Sequence, residues 1–98
     1  MQVTYDVDYF INKFKVIPED KWCVDEFVNK KGQCCVYGHC GLTNEEWGNP
    51  EADGLNDLFN LKCLYNPALI NNGSDDKYQQ NTPKQRIMAA LKDIKNGK

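Results

Sequence analysis

Four prolines, Pro18, Pro50, Pro67 and Pro83, cut this 98-residue chain into short pieces. A proline inside a helix removes a backbone donor and clashes with the turn before it, and the preceding residue is pushed out of the helical region. Each proline therefore marks a place where a helix stops or starts. Before Pro18, Val7, Phe10, Ile11 and Phe14 recur at the spacing of one helix face, so a helix is expected over 5–17, capped by Thr4 or Asp6. Asn49-Pro50-Glu51 reads as a helix start, with a capping amide, proline at the first position and an acid at the positive end. That helix runs to about 64, with Leu55, Leu58, Phe59 and Lys62/Cys63 on one face, and Asn66-Pro67 ends it. The clearest start is Thr82-Pro83-Lys84-Gln85, a capping box around an N-terminal proline; Ile87, Ala90, Leu91 and Ile94 then give the apolar stripe of a helix over 83–95.

Between these pieces the pattern is weaker. Residues 22–28 are rich in aromatic and β-branched side chains and read as a short strand or extended arm, followed by a turn at 29–32. Residues 33–42 fit a strand pairing back as a hairpin. They fit a short helix better, because Cys34, Gly38 and Gly41 are small enough for close packing, although glycine lowers helix propensity. Residues 68–70 read as a short buried segment before an Asn-Gly turn. The expectation is a mainly α, single small domain over 1–98, with about four helices and a minor β element, a short strand or hairpin near 22–37. A hydrophobic fraction of 41% with eleven aromatics supports one core and argues against disorder. No apolar stretch approaches the roughly 18 residues of a membrane span, and the first ten residues lack the basic head and apolar run of an export signal, so a cytoplasmic location is expected.

Twelve basic and fourteen acidic residues leave a net charge of −2, which argues against a general nucleic-acid binder. The charge is polarised. Residues 1–57 carry eleven acids and five lysines, whereas 58–98 carry seven basic residues and three acids. In the last helix Lys84 and Arg86 occupy the first turn, against the dipole preference, and a bound anion would relieve that conflict. Thr82, Lys84 and Arg86, with Tyr78 and Trp47 stacking a base, are the candidate ligand-binding residues for a small nucleotide-like anion.

Five cysteines, Cys23, Cys34, Cys35, Cys40 and Cys63, form an odd set without an export signal, which points to reduced thiols. Two further readings attach to them. Cys34, Cys35, His39 and Cys40 are of zinc-ligand type, but the paired spacing of a usual zinc motif is absent. A thiol enzyme would use Cys23 or Cys35 as nucleophile and His39, the single histidine, as base, with Asp25 or Asn71 orienting the ring. The acid pairs Asp6/Asp8, Asp25/Glu26, Glu45/Glu46 and Asp75/Asp76 read as solvated rather than as dyads. No catalytic residues, metal or cofactor are assigned from these patterns, and the cysteines are expected to fill tight helix contacts.

Trp22-Cys23, the run Gly32-x-Cys34-Cys35-x2-Gly38-His39-Cys40-Gly41, Ile70-Asn71-Asn72-Gly73 and the segment from Thr82 to Ile94 together resemble an uncharacterised family of small bacterial and phage proteins of about 100 residues. The resemblance covers about residues 8–95, and the doubled Cys34-Cys35 and the His39-Cys40 pair depart from it. It implies a bacterial cytosol and a phage or mobile-element context. The functional expectation is a small non-enzymatic binding protein, a phage inhibitor or sequestering protein acting on a host protein or an anionic signalling molecule. Tyr5, Tyr9, Trp22 or Trp47 would anchor the partner, and self-association as a homo-oligomer would cover remaining apolar surface.

Overall fold

The helix that begins after Thr82 is the axis around which the rest of the chain is laid. The computed structural model describes residues 4–42, 49–61 and 66–97. Among them five α-helices follow in order: α1 (Val7–Lys15), α2 (Val36–His39), α3 (Pro50–Leu61), α4 (Pro67–Asn71) and α5 (Pro83–Lys95), with a 3-10 turn at Glu19–Lys21 between α1 and α2. The protein is mainly helical, as its proline punctuation and apolar periodicity indicate.

α5 forms where the capping box places it. The Thr82 hydroxyl accepts from the Gln85 amide at 3.1 Å, and Pro83 takes the first turn. Its predicted stripe of Ile87, Ala90, Leu91 and Ile94 is buried, and α1 and α4 pack against it. Asp6 rather than Thr4 caps α1, its carboxylate accepting from the Tyr9 amide at 2.8 Å. α1 stops at Lys15, two residues short of the expected end, and Val16 is left 72% exposed. The restriction that Pro18 imposes thus reaches back past its immediate neighbour. Phe10 and Phe14 are fully buried, and their rings begin a chain of aromatic contacts: 5.8 Å between their centroids, 5.5 Å from Phe14 to Trp22, and 4.4 Å from Trp22 to His39.

α3 buries Ala52, Leu55 and Phe59, with Leu58 at the edge of the core. Asn49 caps its start by accepting from the Ala52 amide at 2.7 Å. The expected extension to Lys62, Cys63 and residue 64 lies outside the described residues. α1 and α3 are joined by Glu51, whose Oε1 accepts from the Tyr9 hydroxyl and from the Lys13 ammonium, both at 2.6 Å. All five helices contribute to one core, and the Cα radius of gyration of 12.4 Å matches the roughly 13 Å of a compact chain of this length.

Of the two forms expected over 22–28, a short strand or an extended arm, the structure has the arm, an irregular one held to Cys34 by two isolated bridges, Trp22 to Cys34 and Val28 to Cys34. The physical reason is at Asp25, whose φ of 68° turns the chain out of the extended region, so a ladder cannot propagate. The arm folds around residues 33–35 instead. The Cys23 amide donates to the Cys34 carbonyl at 2.9 Å, the Cys34 amide to the Lys21 carbonyl at 2.9 Å, and the Cys35 amide to the Phe27 carbonyl at 3.2 Å. The helix favoured over 33–42 shrinks to the single turn of α2. At Gly38 a Cβ would collide with the Phe27 carbonyl oxygen and sit 2.9 Å from the Cys34 Cβ, so glycine is required for the arm to lie against this turn.

Candidate functional site

α4 and the arm enclose a cleft of about 320 Å³ lined by Asp25, Glu26, Phe27, Cys35, Ala68 and Asn72. Two adjacent asparagines at the end of α4 build it. Asn71 is fully buried; its Oδ1 accepts from the Val36 amide at 3.0 Å, and its Nδ2 donates to the Cys23 carbonyl at 2.9 Å and to Asn72 Oδ1 at 3.1 Å. Asn72 Oδ1 also accepts from the Asp25 amide at 3.0 Å. One amide pair therefore ties the arm, the start of α2 and the end of α4 together. The left-handed backbone of Asp25 sits at the tied point, a conformation that Asp and Asn adopt more readily than other side-chain-bearing residues.

Past Asn71 the amides of Asn72, Ser74 and Gly73 answer the carbonyls of Ala68, Leu69 and Ile70. Arg86 adds a second donor at Ile70 and answers Asn71, an acceptor left over at the helix end. Its Nε donates to the carbonyls of Ile70 and Asn71 at 3.2 Å, its Nη2 to Asn71 at 2.8 Å and its Nη1 to Gln80 at 2.8 Å. The guanidinium lies over Gly73, where a Cβ would come 3.3 Å from Cζ. Arg86 is 9% exposed, so this fork is an internal clamp.

The residues expected to hold an anion at the start of α5 are thus engaged inside the protein. Lys84 Nζ donates to the Lys15 carbonyl at the end of α1 at 3.0 Å. Tyr78 is 2% exposed and donates its hydroxyl to Asp93 at 2.9 Å; burial and that carboxylate push its phenol well above the ordinary range. Thr82 caps the helix, and Trp47 lies outside the described residues. The conflict of cations in a helix's first turn is relieved by carbonyls of other helix ends, which attract them for the same reason that an anion would. Of the aromatics expected as surface anchors, Trp22 is a core residue at 4% exposure, and Tyr5 and Tyr9 are half-buried.

Cys23, Cys35 and Cys40 are buried and Cys34 half-buried, and all four are free thiols. Burial pushes each of them up: Cys40 to about 12, with Glu51 adding to the effect, and Cys23 with help from the neighbouring Cys35 and Cys34. His39 moves the other way, since burial disfavours its cation, against a backbone hydrogen bond to Lys21. Its ring lies against Trp22, and its Nε2, like Trp22 Nε1, is buried without a hydrogen-bond partner among the described residues. A thiolate–imidazolium pair needs both groups charged and in contact; here each is held neutral. Asn71, considered as an orienter of the ring, is engaged by backbone groups, and Asp25 is tied through its own amide. Among the described residues no three His, Cys, Asp or Glu side chains converge as a metal site would require.

Beside the cleft a second hollow of about 160 Å³ is lined by Leu69, Ser74, Asp75 and Asp76. Asp75, expected to be solvated, is 5% exposed and shapes the turn: its carboxylate accepts from the Lys77 amide at 2.9 Å, and its carbonyl from the Gln79 side chain at 2.7 Å. Sequence reasoning missed the Asn71–Asn72 staple and the Arg86 clamp. The only signal was the density of asparagine around 66–72. Comparison with protein-family models, with curated proteins and with solved structures returned no match.

Proposed function

We propose that this chain is a non-enzymatic binding protein that engages a partner protein at the cleft beside α4, in keeping with the bacterial or phage setting that the sequence resemblance implies. The observation that carries the reading is the cleft itself, whose wall of Asp25, Glu26 and Phe27 is fixed from beneath by the Asn71–Asn72 staple. A surface fixed in advance loses less entropy on binding. The thiols support the reading as scaffold: burial favours their protonated form, and the Cys23 thiol donates to the carbonyls of Glu26 and Gln33. A small anionic ligand at α5 has less support, because Arg86 and Lys84 are already bonded to backbone carbonyls.

Two measurements test this. Iodoacetamide labelling near neutral pH is expected to be uniformly slow at Cys23, Cys34, Cys35 and Cys40; one thiol reacting far faster than the others favours an enzyme. Amide hydrogen exchange with and without the protein that co-purifies from the native host is expected to show new protection over 22–28 and 66–72. Protection confined to other segments overturns the assignment of the cleft.

A further inference from the structure

We infer that the α4 face recognises a peptide segment in which an apolar anchor is flanked by lysine or arginine; this rests on the binding reading above and names its ligand. α4 is five residues long, and Leu69 on it is 46% exposed. Phe27, Ala68 and Cys35 are among the lining of the cleft, and Leu69, next to Ala68, lines the second hollow. Val24, which directly precedes the acidic wall, is 40% exposed. The cleft thus has an apolar lining of Phe27, Ala68 and Cys35, and Val24 and Leu69 are exposed apolar side chains next in sequence to its lining residues.

The charged residues that line the cleft and the second hollow are all acidic. Asp25 and Glu26 edge the cleft and Asp76 edges the second hollow. The ion pairs among the described residues are Lys13 with Glu51, Lys77 with Asp93 and Lys95 with Asp8, so these three acids have no basic partner there. An apolar centre with an acidic edge complements an apolar residue between basic ones, and it repels phosphate.

The test is an amide chemical-shift titration of the isotope-labelled full chain at low salt. The probes are three capped peptides: two leucines between lysine pairs, the same with glutamate for lysine, and the same with serine for leucine. The lysine–leucine peptide is expected to move the amides of 24–27 and 68–72, and the other two to leave them in place. Asp25→Asn keeps a residue suited to the left-handed backbone while removing the charge, and Glu26 is exposed, so the D25N/E26Q protein should retain its spectrum and bind roughly fivefold more weakly, the scale of two exposed charge contacts. Leu69→Ser should weaken binding without losing the salt dependence. If the glutamate peptide, inorganic phosphate or adenosine monophosphate moves the same amides more strongly, the basic-peptide inference is overturned while the binding cleft stands. If none of the peptides moves them, the inference is also overturned, and the hydrogen-exchange experiment above then decides whether the cleft binds at all.

Discussion

The α1–α5 pair and the arm around Cys34 are held by different physics. Where α1 meets α5, the contact is between apolar stripes: Phe10 and Phe14 on one side, Ile87, Leu91 and Ile94 on the other. Such contacts are non-directional, and many small terms add. Where α4 meets the arm and α5, the fold depends on a few directed bonds from buried polar side chains, Asn71 toward the arm and Arg86 from α5. Removing one leaves its former partners buried and unpaired, which costs more than the bond contributed. The first kind of contact tolerates change in proportion to size; the second fails abruptly. It is the second kind that supports the proposed binding face.

The comparison can be tested at four points. Arg86→Met retains bulk but strips donors from the carbonyls of Ile70, Asn71 and Gln80, and is expected to cost about 4 kcal/mol in urea unfolding. Arg86→Lys should recover only part of this, since an ammonium cannot form the fork. Leu91→Ala in the apolar region is expected to cost about 3 kcal/mol and to lower protection across the whole chain in hydrogen exchange. Asn71→Ala is expected to cost about 2 kcal/mol, with protection lost first at the Asp25 and Val36 amides; uniform loss would remove the distinction between the two regions.

The smallest effect is pH dependence from His39. Its folded-state pKa is lowered from 6.5, by burial first, so as pH falls below that value the unfolded chain takes up a proton that the folded chain refuses. The unfolded state then binds more protons, and stability falls as pH drops through the window below 6.5. Urea midpoints measured between about pH 7.5 and pH 5.5 should decline for the native protein and stay flatter for His39→Phe.

How much was legible in the sequence follows the same division. α5 carries its own instructions: a cap, a proline in the first turn and a complete apolar stripe, and its bounds agree with the reading of the sequence. α1 and the start of α3 follow from equally local signals. Lys84 and Arg86 were visible as cations in the wrong turn of a helix, but the groups that answer them, the carbonyls ending α1 and α4, are far away in sequence. Tyr78 reads as a stacking platform in the sequence because its acceptor, Asp93, lies 15 residues away. The cysteine cluster leaves zinc and thiol readings open beside the expected packing role, because spacing along the chain carries no information about desolvation, which here disfavours the charged forms of the thiols and the imidazole.

By itself, then, the sequence determined where α5 begins and ends, where α1 and α3 begin, and which of their faces turn inward. Those properties depend on neighbours within one or two turns, where caps, prolines and apolar spacing act directly. The tertiary structure alone decided that residues 22–28 fold around Cys34 without a ladder, that Asn71 and Arg86 are internal fasteners, and that Asp25, Phe27 and Ala68 share a cleft. Each of these depends on which backbone groups lack partners once the helices have packed, and that is known only when the whole chain is in place.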